Sequence, residues 1–355
     1  MTIGIAAAGT GGHVYPALAV AEALVSLGTA PSDIVFFGGD RLEATAVPEA
    51  GFELVPVNLR GFVRSLSFTN LKVLAGVARG ARTIGTHISQ AGITAMLAMG
   101  GYITGPAALA ARRARIPLIL HEQNAVPGLA NRLAARLARQ VFVAFPGEAA
   151  RLPRSEVVGN PLRAALREQP PAQPDARSRY GLDLARPVLG VLGGSQGADA
   201  LNQAVVGLVV AAPEYQVLHL AGSAQHERWT ERAADTKEWV VVPFEREMQF
   251  FYAAVDGVVA RAGALTVSEL AATGTPSILV PYPGASGHQE ANARFLAEAG
   301  GATVLPQTQL AGLEAAVSAM MEPSESARRA AAAAAVGRPN AALRVASAIR
   351  EAARA

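Results

Sequence analysis

The sequence predicts an α/β protein built from two doubly wound, Rossmann-like domains of parallel sheet facing each other across a cleft. Three observations predict it. Short apolar runs rich in β-branched residues alternate with helical patterns, and such alternation builds parallel sheets covered by helices on both faces. The alternation restarts after a Pro- and Arg-rich stretch at 160–187, NPLRAALREQPPAQPDARSRYGLDLARP. Each half also opens alike, with a strand, a glycine cluster (GTGG at 9–12, GGSQG at 193–197) and then a helix. In such folds the ligand sits at the carboxyl ends of the strands.

The elements follow in order. Strand-length runs occupy 3–8, 33–37, 95–99, 117–120 and 141–144 in the first half, then 188–192, 217–220, 240–242, 257–260 and 277–280 in the second. Between them lie helical patterns such as Val14, Leu18, Ala21 and Val25, with Pro16 suited to a first turn. From Arg328 onward the chain has high helix propensity but is broken at Gly337 and Pro339, which predicts two helices with no chemistry. A chain of 355 residues with 51% apolar and 17% charged side chains is too long for one core and too apolar for disorder.

Charge and cysteine content narrow the function. With no cysteine there is no disulfide, thiolate nucleophile or Cys-ligated metal. The net charge of +3 hides an asymmetry: residues 60–154 hold 13 Arg or Lys against only Glu122 and Glu148. That segment favours an anionic partner. Nucleic acid is not expected, because aromatics are only 5% and no recognition module is present. The N-terminus lacks the basic region of a signal peptide, and no apolar run reaches the ~18 residues of a spanning helix.

The candidate chemistry lies at strand ends. Gly9, Thr10, Gly11 and Gly12 offer backbone N–H groups to an anion at a helix start. Their spacing is not the dinucleotide fingerprint, so no nicotinamide cofactor is expected. His13 follows directly, either as a helix cap or as a general base titrating near neutrality. Gly100, Gly101, Tyr102 and Gly105 form a second glycine cluster, and His121, Glu122, Gln123 and Asn124 end the next strand. In the second half, Gly263 precedes a helix expected to start near Leu265, whose free N–H groups suit a diphosphate. Glu269 lies one turn on, either a capping acid or a carboxylate for a ribose diol, and Gln289 and Asn292 share a helix face. No metal-ligand spacing, nucleophile elbow or Walker loop occurs.

Taken together and in order, these motifs resemble the MurG family of peripheral membrane glycosyltransferases. The stretches that carry the resemblance are GTGGHVYPALAVAEAL (9–24), MGGYITGPAALAA (99–111), IPLILHEQNAVPGLANR (116–132), VVGNPLR (157–163), LGGSQGADALN, RAGALTVSELAATGTPSILVPYP (261–283) and HQEANA (288–293). The resemblance implies a GT-B fold. It implies an acceptor and membrane-facing domain at 1–160, a UDP-N-acetylglucosamine domain at 161–338, and a final helix at 339–355 packing back on the first domain. It implies inverting transfer of N-acetylglucosamine to the 4-hydroxyl of the muramoyl sugar of lipid I, giving lipid II for peptidoglycan, without a cofactor or metal. Donor contacts carried over are Thr10, Gly11, Gly12, Asn124, Arg163, Ser195, Ala264, Leu265, Thr266, Val267, Ser268, Glu269 and Gln289. Gly11, Gly12, Gly101 and Tyr102 would meet the acceptor diphosphate, and His13, Glu122 and Asn124 form the catalytic set, with His13 ahead of Glu122 as base.

The implied location is the cytoplasmic face of the inner membrane, on an anionic surface, with cell-wall synthesis and division proteins as candidate partners. One departure stands out: Phe244, Glu245, Arg246, Glu247 and Met248 put an acid where relatives carry an aliphatic residue, which bears on uracil recognition. Rival readings are another GT-B enzyme, such as a UDP-N-acetylglucosamine 2-epimerase, and a non-catalytic nucleotide-sugar sensor.

Overall fold

The computed structural model describes every residue except 58–68, 169, 195–197, 211–213 and 286, with the side chains of 69–74 also left undescribed. The chain divides into two compact units: Met1–Ala164 with Pro339–Ala355, and Ala165–Arg338.

In the first unit, β1 (Thr2–Ala6), β2 (Ile34–Gly38), β3 (Glu53–Pro56), β4 (Ile93–Ala98), β5 (Leu118–Glu122), β6 (Gln140–Val143) and β7 (Ser155–Val157) form a parallel sheet ordered β3-β2-β1-β4-β5-β6-β7. Helices α1 (Gly11–Ser26), α2 (Glu43–Glu49), α3 (Thr69–Gln90), α4 (Thr104–Ala114) and α5 (Leu129–Ala134) accompany it. Alternation along the first strand feeds two cores. Ile3, Ile5 and Ala7 pack with Val14 and Leu18 of α1, whereas Ala6 and Ala8 pack with Ile84 and Ile88 of α3 and Ala107 and Ala111 of α4. Thr10 is extended (φ −106°, ψ 166°) and α1 begins at Gly11, so Pro16 falls in the second turn rather than the first. Its missing N–H leaves the Gly12 carbonyl without the usual i+4 donor.

The second unit comprises α6 (Ala164–Arg167, at the junction), α7 (Gln173–Arg179), β8 (Val188–Leu192), α8 (Asp199–Val210), β9 (Gln216–Leu220), α9 (His226–Ala233), β10 (Trp239–Val242), α10 (Met248–Ala254), β11 (Gly257–Ala260), α11 (Ala264–Thr273), β12 (Ser277–Leu279), α12 (His288–Glu298), β13 (Ala302–Val304), α13 (Leu313–Met321) and α14 (Pro323–Val336). Its sheet is parallel and ordered β10-β9-β8-β11-β12-β13. Both sheets therefore reverse their winding beside the first strand, between β1 and β4 and between β8 and β11, where doubly wound folds bind ligands.

The last helix, α15 (Ala341–Arg354), rejoins the first unit: Ala342, Val345, Ala346 and Ile349 are buried in the core that holds α1. Arg344 donates to both oxygens of Glu156 at 2.9 and 2.7 Å. The first unit runs to Ala164 rather than ending at 160. The reason is local: the Val158 and Gly159 N–H groups both reach the Val143 carbonyl, Asn160 Nδ2 donates to the Gln123 carbonyl at 3.2 Å, and Leu162 is buried. Three strands escaped the sequence reading, β3, β7 and β13, and each lies at a sheet edge.

Candidate active site

In the first unit, three loops meet where the winding reverses. Thr10 precedes α1 without capping it by its side chain, and the first amides to find a carbonyl are those of His13 and Val14, both on Thr10 O at 3.0 and 3.2 Å. The Gly11 and Gly12 amides thus occupy the helix turn that has no intrahelical acceptor. Gly100 and Gly101, both at positive φ (89° and 78°), come against this loop. A Cβ on Gly100 would lie 2.8 Å from His13 Cδ2, and one on Gly101 would lie 2.9 Å from the Ala8 carbonyl oxygen. Only glycine permits that approach.

His13 is half-buried, and its Nδ1 is shielded from solvent with no hydrogen-bond partner among the described residues. Burial lowers its pKa below 6.5, while the charges of Glu122 and then Glu43 pull it back up. This corrects the expectation of an unperturbed imidazole. The Tyr102 phenol is raised, chiefly by burial and next by Glu43.

Glu122, 2% exposed, closes β5 and organises the following loop. Its Oε1 accepts from Asn124 N (2.9 Å) and Asn124 Nδ2 (3.3 Å), and its Oε2 from Gly128 N (3.0 Å) and Asn131 Nδ2 (2.8 Å). A carboxylate holding four donors acts as a hub that fixes Asn124, and both its oxygens are committed. His121 beside it is fully buried, with Nε2 on the Gly159 carbonyl at 2.9 Å and its pKa lowered to about 4 by burial.

In the second unit, Gly263 is the N-cap of α11 and offers no side chain to cap it; Val267 is the first amide to reach a carbonyl, Gly263 O at 2.9 Å. The first turn carries no acid, so no side-chain charge within that turn offsets the positive helix end. Val267 is fully buried and the Ser268 hydroxyl donates to Ala264 O at 2.9 Å, so this stretch would meet an anion through its main chain. Glu269 sits in the second turn, beyond the N-cap at Gly263. It is 8% exposed, and its Oε2 accepts from the Tyr252 hydroxyl at 2.9 Å; burial and then Glu269 drive the Tyr252 pKa well above 10. Gln289 accepts from Tyr282 N at 2.8 Å through Oε1, and Asn292, fully buried, donates to Ala262 O at 3.3 Å.

Glu245 is 7% exposed and turned toward α7: Tyr180 Oη donates to it at 2.7 Å, and its Oε1 also accepts from Glu247 N at 2.7 Å. Arg179 lies 3.4 Å from Glu245 and stacks over Phe250 at 4.3 Å. The acid in this position is therefore absorbed by neighbouring donors.

Comparison with known proteins decides the family. The Glycosyltransferase family 28 N-terminal domain matches residues 3–143 and the Glycosyltransferase family 28 C-terminal domain matches 188–347. The chain belongs to glycosyltransferase family 28. A relative from Clavibacter sepedonicus, named UDP-N-acetylglucosamine--N-acetylmuramyl-(pentapeptide) pyrophosphoryl-undecaprenol N-acetylglucosamine transferase, is 39% identical over 98% of this chain and 95% of its own. One of the same name from Ectopseudomonas mendocina is 41% identical over 85% and 84%. Among solved structures, the MurG of Acinetobacter baumannii superposes with a TM-score of 0.76 at 30% identity, covering 99% of both chains. The UDP-GlcNAc 2-epimerase of Neisseria meningitidis reaches 0.70 at 11% identity over 99% of each chain, which shows the shared fold alone. The fold is GT-B, the two-sheet architecture of these family 28 relatives.

Within this family 28 chain the expected donor contacts divide between the units. Thr10, Gly11, Gly12, Asn124 and Arg163 belong to the first, with Arg163 stacked 5.5 Å over the Tyr15 ring, and Ala264–Glu269 and Gln289 belong to the second. Ser195 lies outside the described residues. Sequence reasoning passed over Glu43, Asn131, Tyr252 and Arg261. Arg261 joins two loops, donating to the Val280 and Pro281 carbonyls and, at 2.6 Å, to Gln307. The available signal for Glu43 was the glycine pair at 38–39 just before it. Among the described residues no three His, Cys, Asp or Glu side chains gather as metal ligands would.

Proposed function

We propose that the chain transfers N-acetylglucosamine from UDP-N-acetylglucosamine to lipid I, forming lipid II. The observation that carries this reading is kinship along nearly the whole chain with transferases named for that reaction, joined to a strand-end histidine in the first unit and a helix start with no acid in its first turn in the second. The α11 amides take the donor diphosphate, where negative charge grows as UDP leaves. Glu269, oriented by Tyr252, takes the ribose hydroxyls, and Gln289 orders the 282 loop nearby. The Gly11, Gly12, Gly101 and Tyr102 loops take the acceptor diphosphate. His13 removes the proton from the muramoyl 4-hydroxyl as that oxygen bonds to C1 and the C1–O bond to UDP breaks, inverting the anomeric centre. Asn124, fixed by Glu122, faces the transferred sugar.

No helix among the described residues is long and apolar enough to cross a membrane. The first unit nevertheless carries exposed Leu129, Leu133 and Leu137 beside exposed Arg132, Arg136 and Arg139, a pattern suited to resting on an anionic leaflet on the side where the lipid acceptor is offered.

Incubation with labelled UDP-N-acetylglucosamine, a soluble lipid I analogue and anionic vesicles tests the whole reading. A product heavier by one N-acetylglucosamine, with UDP release that requires acceptor and vesicle binding that weakens with salt, is expected. UDP-N-acetylmannosamine formed without acceptor would mark an epimerase instead, and donor binding without turnover would mark a sensor.

A further inference from the structure

Glu43, which opens α2, is fully buried. Its Oε2 accepts from Gly9 N at 3.1 Å and its Oε1 from Gly39 N at 2.8 Å, with Tyr102 Oη 3.5 Å from Oε1. It thereby joins three strand ends: the glycine loop after β1, the turn after β2 and the Tyr102 loop after β4. The surrounding backbone is cleared for it. A Cβ on Gly38 would lie 2.8 Å from Glu43 Cγ, and one on Gly39 would strike the Tyr102 hydroxyl and come within 3.0 Å of Glu43 Oε1. A buried carboxylate beneath a loop assigned to a diphosphate repels that ligand, so attraction of the acceptor does not explain it. Its two backbone bonds, and its sign relative to an imidazolium, do.

We propose that Glu43 is a positioning residue of the transfer reaction: by accepting the Gly9 and Gly39 N–H groups it fixes the Gly9–Gly12 loop, and with it His13 at the end of that loop. The inference rests on His13 acting as the base. Two carboxylates act on that ring, Glu122 at the end of β5 and Glu43 on α2. Other polar or charged groups near them include Tyr102 and Gln123, Asn124 and Asn131 on Glu122, and Asp40 and Arg41 ahead of α2. Since Glu43 raises the proton affinity of His13, its neutralisation moves the His13 titration to lower pH.

The test compares Glu43→Gln and Glu43→Asp with the wild-type enzyme in steady-state transfer from pH 5 to 8 and in an NMR titration of the His13 ring in the free protein. For Glu43→Gln the expected result is kcat lower by about tenfold, donor KM within twofold, and both the acid limb and the His13 midpoint displaced to lower pH. Glu43→Asp should keep the midpoint near the wild-type value while losing part of kcat through its shorter reach. An unmoved His13 midpoint in Glu43→Gln, or a kcat loss accompanied by no shift of the acid limb, overturns the proposal. Should Glu43→Gln fail to fold, a displaced midpoint in Glu43→Asp overturns it. The NMR arm needs no turnover, so a wild-type protein that transfers nothing sinks the proposed reaction without touching the effect of Glu43 on His13.

Discussion

The two units share a strand order but place their buried carboxylates differently. In the first, Glu43 and Glu122 lie beneath the strand-end loops and accept main-chain N–H groups, and the charges of both act on one imidazole. In the second, the helix start at Gly263 has no acid in its first turn, and Glu269 is set back in the second turn on a tyrosine hydroxyl. Acid near a loop suits proton transfer, where a cation forms in the transition state. Acid kept away from a helix start suits retention of an anionic diphosphate. One topology thus carries buried acids placed beneath the strand-end loops in one unit and a helix start clear of acid in the other.

The sharpest way to break that division is His13→Ala. It should lower kcat by about 10²-fold or more with donor KM nearly unchanged, measured by steady-state release of UDP. A raised donor KM with normal kcat would erase the distinction. In the wild-type enzyme, the acid limb of kcat/KM should fall below pH 6.5, because burial lowers the His13 pKa and the neutral base survives to lower pH.

Glu122→Ala separates a hub from a base. Losing a buried acceptor of four hydrogen bonds should reduce unfolding free energy by about 3 kcal/mol in urea titration, together with a fall in kcat. A variant of wild-type stability that is inactive would make Glu122 the base. In the second unit, Glu269→Ala should raise donor KM about tenfold with little change in kcat, the loss expected for a charged hydrogen-bond acceptor on the ribose. Destabilisation with a normal KM would assign Glu269 to packing. Tyr252→Phe should follow the same direction more weakly, with donor KM up about three- to fivefold, because the lost hydrogen bond only orients the carboxylate.

Much of this was legible in the sequence, and the gaps have physical causes. Central strands such as β1 and β11 are buried on both faces and read as apolar runs. The strands that escaped, β3, β7 and β13, are edges three or four residues long with partly exposed side chains, so their pattern is diluted. The glycine loops, His13 and the Gly263 helix start are marked by local residue types. Glu43 is not, because its burial depends on β2, β4 and the Tyr102 loop meeting in space; on paper Asp40 is the more conspicuous acid. Glu269 reads equally as a capping acid or a ribose-binding carboxylate until Tyr252 is found beside it. Glu245 reads as a foreign charge until Tyr180 and Arg179 from α7 are seen to absorb it.

The return of α15 to the first unit sets an order of events during synthesis. Val345 and Ile349 complete a core begun by Ile3, Val14 and Leu18, yet the ribosome makes the whole second unit, Ala165–Arg338, in between. At ~5–20 residues per second that is a delay of roughly ten to thirty-five seconds. Throughout it, the part of the first core that Val345 and Ile349 close waits uncovered. The part of the molecule translated first is therefore the last to be finished.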